Sequence, residues 1–163
     1  MAWNNNDGLY VKFHKEIGVA GRGGYVVAGD ESLHTVELRI TATGLGTASA
    51  IMDDHVVIPA GAVIEEIEVI SETACTSSGS AALNIGFIRQ DRSTTFDEDG
   101  LVAALALTAL NVAGEKNVLR VGSTGAGALV GTTLANSGVI VADYDTAAYT
   151  AGVLVVRINY SRA

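Results

Sequence analysis

The feature that most limits what this chain can fold into is a hydrophobic period of two. From Thr35 to Ala42, the side chains of Val36, Leu38 and Ile40 fall on one side and those of Thr35, Glu37, Arg39 and Thr41 on the other. That is the alternation of a strand with one buried and one wetted face. Near the end of the chain, Leu154, Val156, Ile158 and Tyr160 alternate in the same way with Val155, Arg157 and Asn159. Between these, Val63 to Thr73 places Val63, Ile67, Val69 and Thr73 on one side and Glu66, Glu68 and Glu72 on the other, with Ile64 and Ile70 sharing the acidic face. Leu83, Ile85 and Phe87 alternate with Asn84, Gly86 and Ile88 after a Ser77-Ser78-Gly79-Ser80 turn, so the two segments are expected to pair antiparallel.

Shorter strand candidates are Leu9–Phe13, Tyr25–Ala28, His55–Ile58, Asn117–Val121 and Val139–Tyr144, each bounded by Gly, Asp, Asn or Ser. Strands this many and this close together predict an all-β chain, an antiparallel β-sandwich or jelly-roll-like fold. One segment departs from the pattern. Asp97-Glu98-Asp99-Gly100 precedes Leu101–Leu110, which is rich in Ala and Leu and poor in β-branched residues. It reads as one short helix with carboxylates at its positive end and Gly114 as its stop, the alternative being a buried strand. No boundary or convincing repeat divides the sequence. Residues 1–163 are therefore read as one β-sandwich domain, with 1–8 as an extended N-terminal arm.

Composition narrows the function classes. With 48% hydrophobic and 17% charged residues the chain is not a disordered one. No stretch approaches the roughly 18 apolar residues of a membrane-spanning helix. Met1–Gly8 has neither the basic start nor the apolar core of a signal peptide, so synthesis in a cytoplasm is expected. Cys75 is the single cysteine, which leaves no intramolecular disulfide and suggests inert packing. A formal charge of −8, with the basic residues scattered singly, argues against direct binding of nucleic acid. Such a charge suits solubility at high copy number.

No motif in the sequence assembles a chemical centre. His14, His34 and His55 are far apart, whereas zinc needs at least three converging ligands. Asp97, Glu98 and Asp99 could join Asp91 around calcium, but the spacing is not that of an EF-hand, and a helix cap explains them more simply. Gly125, Gly127 and Gly131 resemble a nucleotide loop only superficially, since no Walker lysine or βαβ pattern accompanies them. A surface loop, mobile or ordered by a partner, accounts for them. There is no Gly-x-Ser-x-Gly or Cys/His motif. A glycosidase cleft would be poorly supplied by one Trp, five Tyr and three Phe. No catalytic, cofactor-binding or metal-binding residue is assigned, and a non-enzymatic role is expected.

Several turn motifs are more specific. Val56-Val57-Ile58-Pro59-Ala60-Gly61-Ala62-Val63-Ile64 leads into Ile67-Glu68-Val69 and then Thr73–Gly86, a long strand, a Ser/Gly turn and a strand ending Leu83-Asn84-Ile85-Gly86. Together with Asn6–Phe13, Asp99-Gly100-Leu101 and Asp143–Ala147, this resembles the decoration or cement proteins of tailed-bacteriophage capsids. The resemblance implies a jelly-roll-like head accessory protein that binds the major capsid protein on the outer surface of the shell as a homotrimer. Apolar residues on the second faces of strands (Ile64, Ile70, Ile88, Val153, Val155) fit burial by neighbours. Trp3, Tyr10 and Phe13 are candidate assembly contacts, because aromatics are enriched at interface hot spots; alternatively Tyr10 and Phe13 belong to an ordinary first strand. Rival readings are a virion-displayed glycan-binding adhesion module and another head or tail structural component.

Overall fold

The computed structural model describes residues 3–4, 10–11, 26–28, 33–53, 55–90 and 95–162, and among them twelve strands and two single-turn 3-10 helices. One sheet has the order β10 (Lys116–Leu119), β7 (Ala62–Ser77), β12 (Tyr149–Arg162), β4 (Leu33–Thr41), β3 (Val26–Ala28). The other runs β5 (Ala50–Ile51), β11 (Gly138–Asp145), β8 (Ala82–Arg89), β9 (Thr95–Ala106), with β6 (Val57–Ile58) pairing to β11 beside β5. A separate short pair joins β1 (Trp3–Asn4) to β2 (Tyr10–Val11). Every strand pairing is antiparallel.

The period of two explains why these strands pair as they do. Along β12, Leu154, Val156, Ile158 and Tyr160 are buried while Val155, Arg157 and Asn159 are not. Its neighbour β4 buries Val36, Leu38 and Ile40 in the same layer, as the sequence pattern requires. These residues meet Leu83, Ile85 and Phe87 of β8 and Ile140 and Ala142 of β11 in one continuous cluster, so the two sheets form a sandwich. With no disulfide to share the task, stability rests on this core, where burying each Val, Leu or Ile is worth about 1.5–3 kcal/mol.

Two expectations about β7 are corrected. Asn159 pairs with Glu66 but Tyr160 pairs with Ile64, so Glu65 is an extra residue on β7. The slip reverses the alternation, and Ile64 turns from the expected acidic face into the core beside Ile67 and Val69. A second slip, between the pairs Val153–Thr73 and Leu154–Ser71, leaves Thr73 exposed and buries Ser71 in its place. Ile70, Val153 and Val155 do stay on the outer face, half-buried.

The expected helix over Leu101–Leu110 is also corrected. The chain there is strand through Ala106, and only Leu107–Ala109 makes a helical turn. Ala82 pairs with Ala106, Leu83 with Leu105 and Ile85 with Val102, burying Leu101, Val102 and Leu105. Helix propensity is a weak prior that such pairing overrides. Asp97, Glu98 and Asp99 accordingly lie within a strand and cap nothing.

Candidate functional site

The outer face of the first sheet is built from the polar half of each alternating strand. Glu68 of β7 lies opposite Arg157 of β12, which lies opposite Glu37 of β4. Arg157 reaches both, with Nε 2.7 Å from Glu37 Oε2 and Nη1 3.6 Å from Glu68 Oε2, while Lys116 of β10 closes the row onto Glu68. Arg120 pairs with Glu66 at 2.5 Å and Arg39 with Glu72 at 2.6 Å. Beside them, Ser161 Oγ donates to Glu65 and Thr35 Oγ1 to Asn159, each at 2.7 Å. The hydrogen bonds and charges of their glutamates hold the Arg39 and Arg157 guanidinium groups above their ordinary pKa. Exposed pairs of this kind contribute little stability each, typically below about 1 kcal/mol. Their consequence is a surface most of whose charges are paired, with Ile70, Val153 and Val155 between them.

The second sheet's outer face is different. Val139 and Val141 of β11 share it with Asp143, and opposite them on β8 stand Ile88, Gly86 and Asn84. Both valines are buried although they point away from the central cluster. At Gly86 the backbone of β9 lies directly on this face: a Cβ there would come within 2.0 Å of the Asp97 carbonyl oxygen.

Asn84 is the centre of a buried polar network on that same face. Its Nδ2 donates to Asp143 Oδ1 and to Asp145 Oδ2, each at 2.8 Å, and its Oδ1 accepts the Ala104 N–H at 2.8 Å. Ser49 Oγ donates to the other oxygen of Asp143. One amide thus ties β8, β9 and β11 together and holds Ala104 at φ 50°, a left-handed conformation that a non-glycine residue adopts only under such constraint.

Asp97 and Asp99 are hydrogen-bonded to one another, and burial first, then Asp99, raises the Asp97 pKa. A carboxylate raised on folding binds its proton more readily in the folded than in the unfolded chain, so its penalty is present at neutral pH and fades as pH falls through the folded pKa. Asp97→Asn is therefore expected to raise the melting temperature at pH 7 and to leave it unchanged in acid below the ordinary carboxylate range. Melting curves at both pH values check this.

The residues singled out from sequence do not converge. Trp3 pairs in register with Val11 and Tyr10 with Asn4 in the β1–β2 ladder, whereas Phe13, His14 and Asp91 lie outside the described residues. The His34 ring stacks on Tyr160 with centroids 5.2 Å apart, and His55 is exposed with its backbone N–H on Asp53. Cys75 is buried, its thiol pushed up by that burial. Among the described residues no group of three or more His, Cys, Asp and Glu gathers to hold a metal, and no helix is long and apolar enough to cross a membrane. The loop expected to be mobile or ordered by a partner is fastened by its own chain. Gly127 N–H donates to Leu101 O, Leu129 N–H to Gly100 O and Gly131 N–H to Ile64 O. Gly127 is needed because a Cβ there would lie 2.2 Å from the Asp99 carbonyl oxygen. Gly127 thus serves packing of the loop on β9, and Gly131 its attachment to β7. Sequence reading missed Asn84, whose only outward sign is an amide in an apolar strand.

The polar features of this sandwich mainly join strands to one another. No protein-family profile matches the chain, and no curated protein matches it. Solved structures do. A chain from the acid-stable capsid of Helicobacter pylori bacteriophage KHP30 is 13% identical with a TM-score of 0.51, the match covering 87% of this chain and 90% of that one. A chain from the capsid of Ralstonia phage GP4 is 14% identical with a TM-score of 0.52, covering 91% of this chain and 92% of that one. At such identities the likeness is one of fold.

Proposed function

We propose that the chain is a capsid decoration, or cement, protein of a tailed bacteriophage, which attaches as a homotrimer to the major capsid protein on the outside of the shell and stabilises it. The observation that carries the reading is the fold match, which spans about nine-tenths of this chain and of each phage capsid chain. The matched chains are thus of nearly this chain's own length, which suits a small accessory subunit. The charge of −8 favours a position away from packaged DNA. The largely ion-paired face of the first sheet supports the same view, since it offers neighbours half-buried Ile70, Val153 and Val155 among charges that mostly have partners already.

Such a protein works by multiplication. Each contact is modest, but a trimer engaging several shell subunits at once binds far more tightly than any one contact, and its many copies resist internal pressure together. Residues 1–8 act in this reading as an arm, with Trp3, Tyr10 and Phe13 as contacts to the shell or to a neighbouring copy.

The test is co-sedimentation of purified protein with expanded shells emptied of DNA, alongside light scattering. A homotrimer that pellets with shells is expected; a monomer that stays in the supernatant contradicts the reading. Removing residues 1–8 should weaken attachment while leaving the melting temperature unchanged, and full occupancy by the shortened chain would exclude the arm.

A further inference from the structure

An open depression of about 420 Å³ lies where β8 ends, lined by Arg89, Gln90, Asn136 and Ser137. Its walls are fixed. Arg89 pairs with Gly138 at the start of β11, the Gln90 N–H donates to Ser137 O at 3.3 Å, and Ser137 Oγ accepts the Ala60 N–H at 3.0 Å. The Ser137 hydroxyl proton is therefore left to donate. All four side chains can donate hydrogen bonds, and among the described residues the only charge lining the depression is a cation.

Arg89 stands apart from the basic side chains on the outer face of the first sheet. Arg39, Lys116, Arg120 and Arg157 each have a glutamate partner. Among the described residues, the buried Arg89 Nε has no acceptor. A charged donor left unsatisfied inside the fold is costly, so the hydrogen-bonding capacity of this guanidinium is not used up by the chain's own acceptors. A guanidinium presents its donors as a planar fork that a carboxylate fits with two parallel hydrogen bonds. One cation among neutral amide and hydroxyl donors matches a monoanion in charge as well as in shape.

We infer that the Arg89 depression is a carboxylate-binding site that receives an Asp or Glu side chain of a neighbouring shell subunit. The source of the carboxylate rests on the capsid reading above; the chemistry of the site does not. A single exposed Arg–carboxylate contact is weak, and repetition over many copies makes it count.

The full chain, labelled at arginine Nε, is titrated with sodium acetate, sodium phosphate and sodium chloride at matched ionic strength while side-chain N–H signals are followed by NMR. Acetate should shift the Arg89 signal saturably and leave those of Arg39 and Arg157 in place. An Arg89 signal that responds alike to acetate and chloride, or more strongly to phosphate than to acetate, overturns the carboxylate assignment. In co-sedimentation, Arg89→Gln should weaken shell attachment about tenfold with an unchanged oligomer and no loss of melting temperature, and Arg89→Lys should restore part of it. Undiminished attachment of Arg89→Gln, with the acetate response of the wild type intact, overturns the shell-subunit donor alone. Failure of the wild type itself to attach instead overturns the capsid reading, and the acetate titration still decides the site.

Discussion

Gly86→Ala is expected to yield little soluble protein, or protein melting more than about 10 °C below the wild type. The added Cβ would sit 2.0 Å from the Asp97 carbonyl oxygen and 2.3 Å from the Glu98 carbonyl carbon. Both are backbone atoms, so no rotamer change relieves the overlap. The strand pairing between Ile85–Val102 and Phe87–Asp97 would have to open, detaching the first half of β9 from β8 and uncovering Val141, which lies opposite Gly86. The matched control is Gly44→Ala, where nothing stands within 4 Å of the new methyl group; it should melt within a degree or two of wild type. Circular dichroism melts of the two variants decide the matter. A normal Gly86→Ala melt would mean that β9 does not cross β8 as described.

Asn84→Ala should cost roughly 3 kcal/mol or more, because it removes hydrogen bonds to two carboxylates and leaves the Ala104 N–H without its acceptor. Asp143 is only 6% exposed and would keep Ser49 as its remaining side-chain donor. Asn84→Asp separates shape from charge. It preserves the acceptor for Ala104 but sets a third carboxyl between Asp143 and Asp145, and carboxylates so close resist ionising together. The folded state of that variant then binds protons more readily than its unfolded chain, so its stability should be poor at pH 7 and recover as pH falls toward 4. Asn84→Ala adds no carboxyl, so its recovery should be clearly smaller. Urea melts of the two variants at both pH values separate these outcomes, and equal pH dependence would remove the network from the account.

What could be read from sequence divides along a physical line. Strands β4 and β12 are half-buried, and their alternation announces both the strand and the face that packs. In β7 the same rule works until the extra residues near Glu65 and Glu72, where it assigns Ile64 and Thr73 to the wrong sides. Nothing in Glu-Glu or in Glu-Thr marks such a slip, since partner strands fix the register. The segment after Asp99 was opaque for a related reason: Ala and Leu suit a helix locally, while β8, lying before it in the chain, supplies the pairing that makes it strand. Asn84 meets Asp143 and Asp145 across 59 and 61 residues of sequence, a separation at which composition carries no signal. Arg89 stood unremarked as one of ten scattered bases until its neighbours were in place. The turn motifs between Val56 and Gly86, by contrast, pointed toward phage capsids, and the fold likeness to phage capsid chains agrees with them.

The most direct test of the proposed capsid role is the amount of this chain in intact virions of the phage proposed to encode it, measured against the major capsid protein by quantitative mass spectrometry. A capsid decoration protein is expected in copy number comparable with that of the shell subunit, and accessible to surface labelling before the particle is opened. A few copies per particle, or none, would contradict the account.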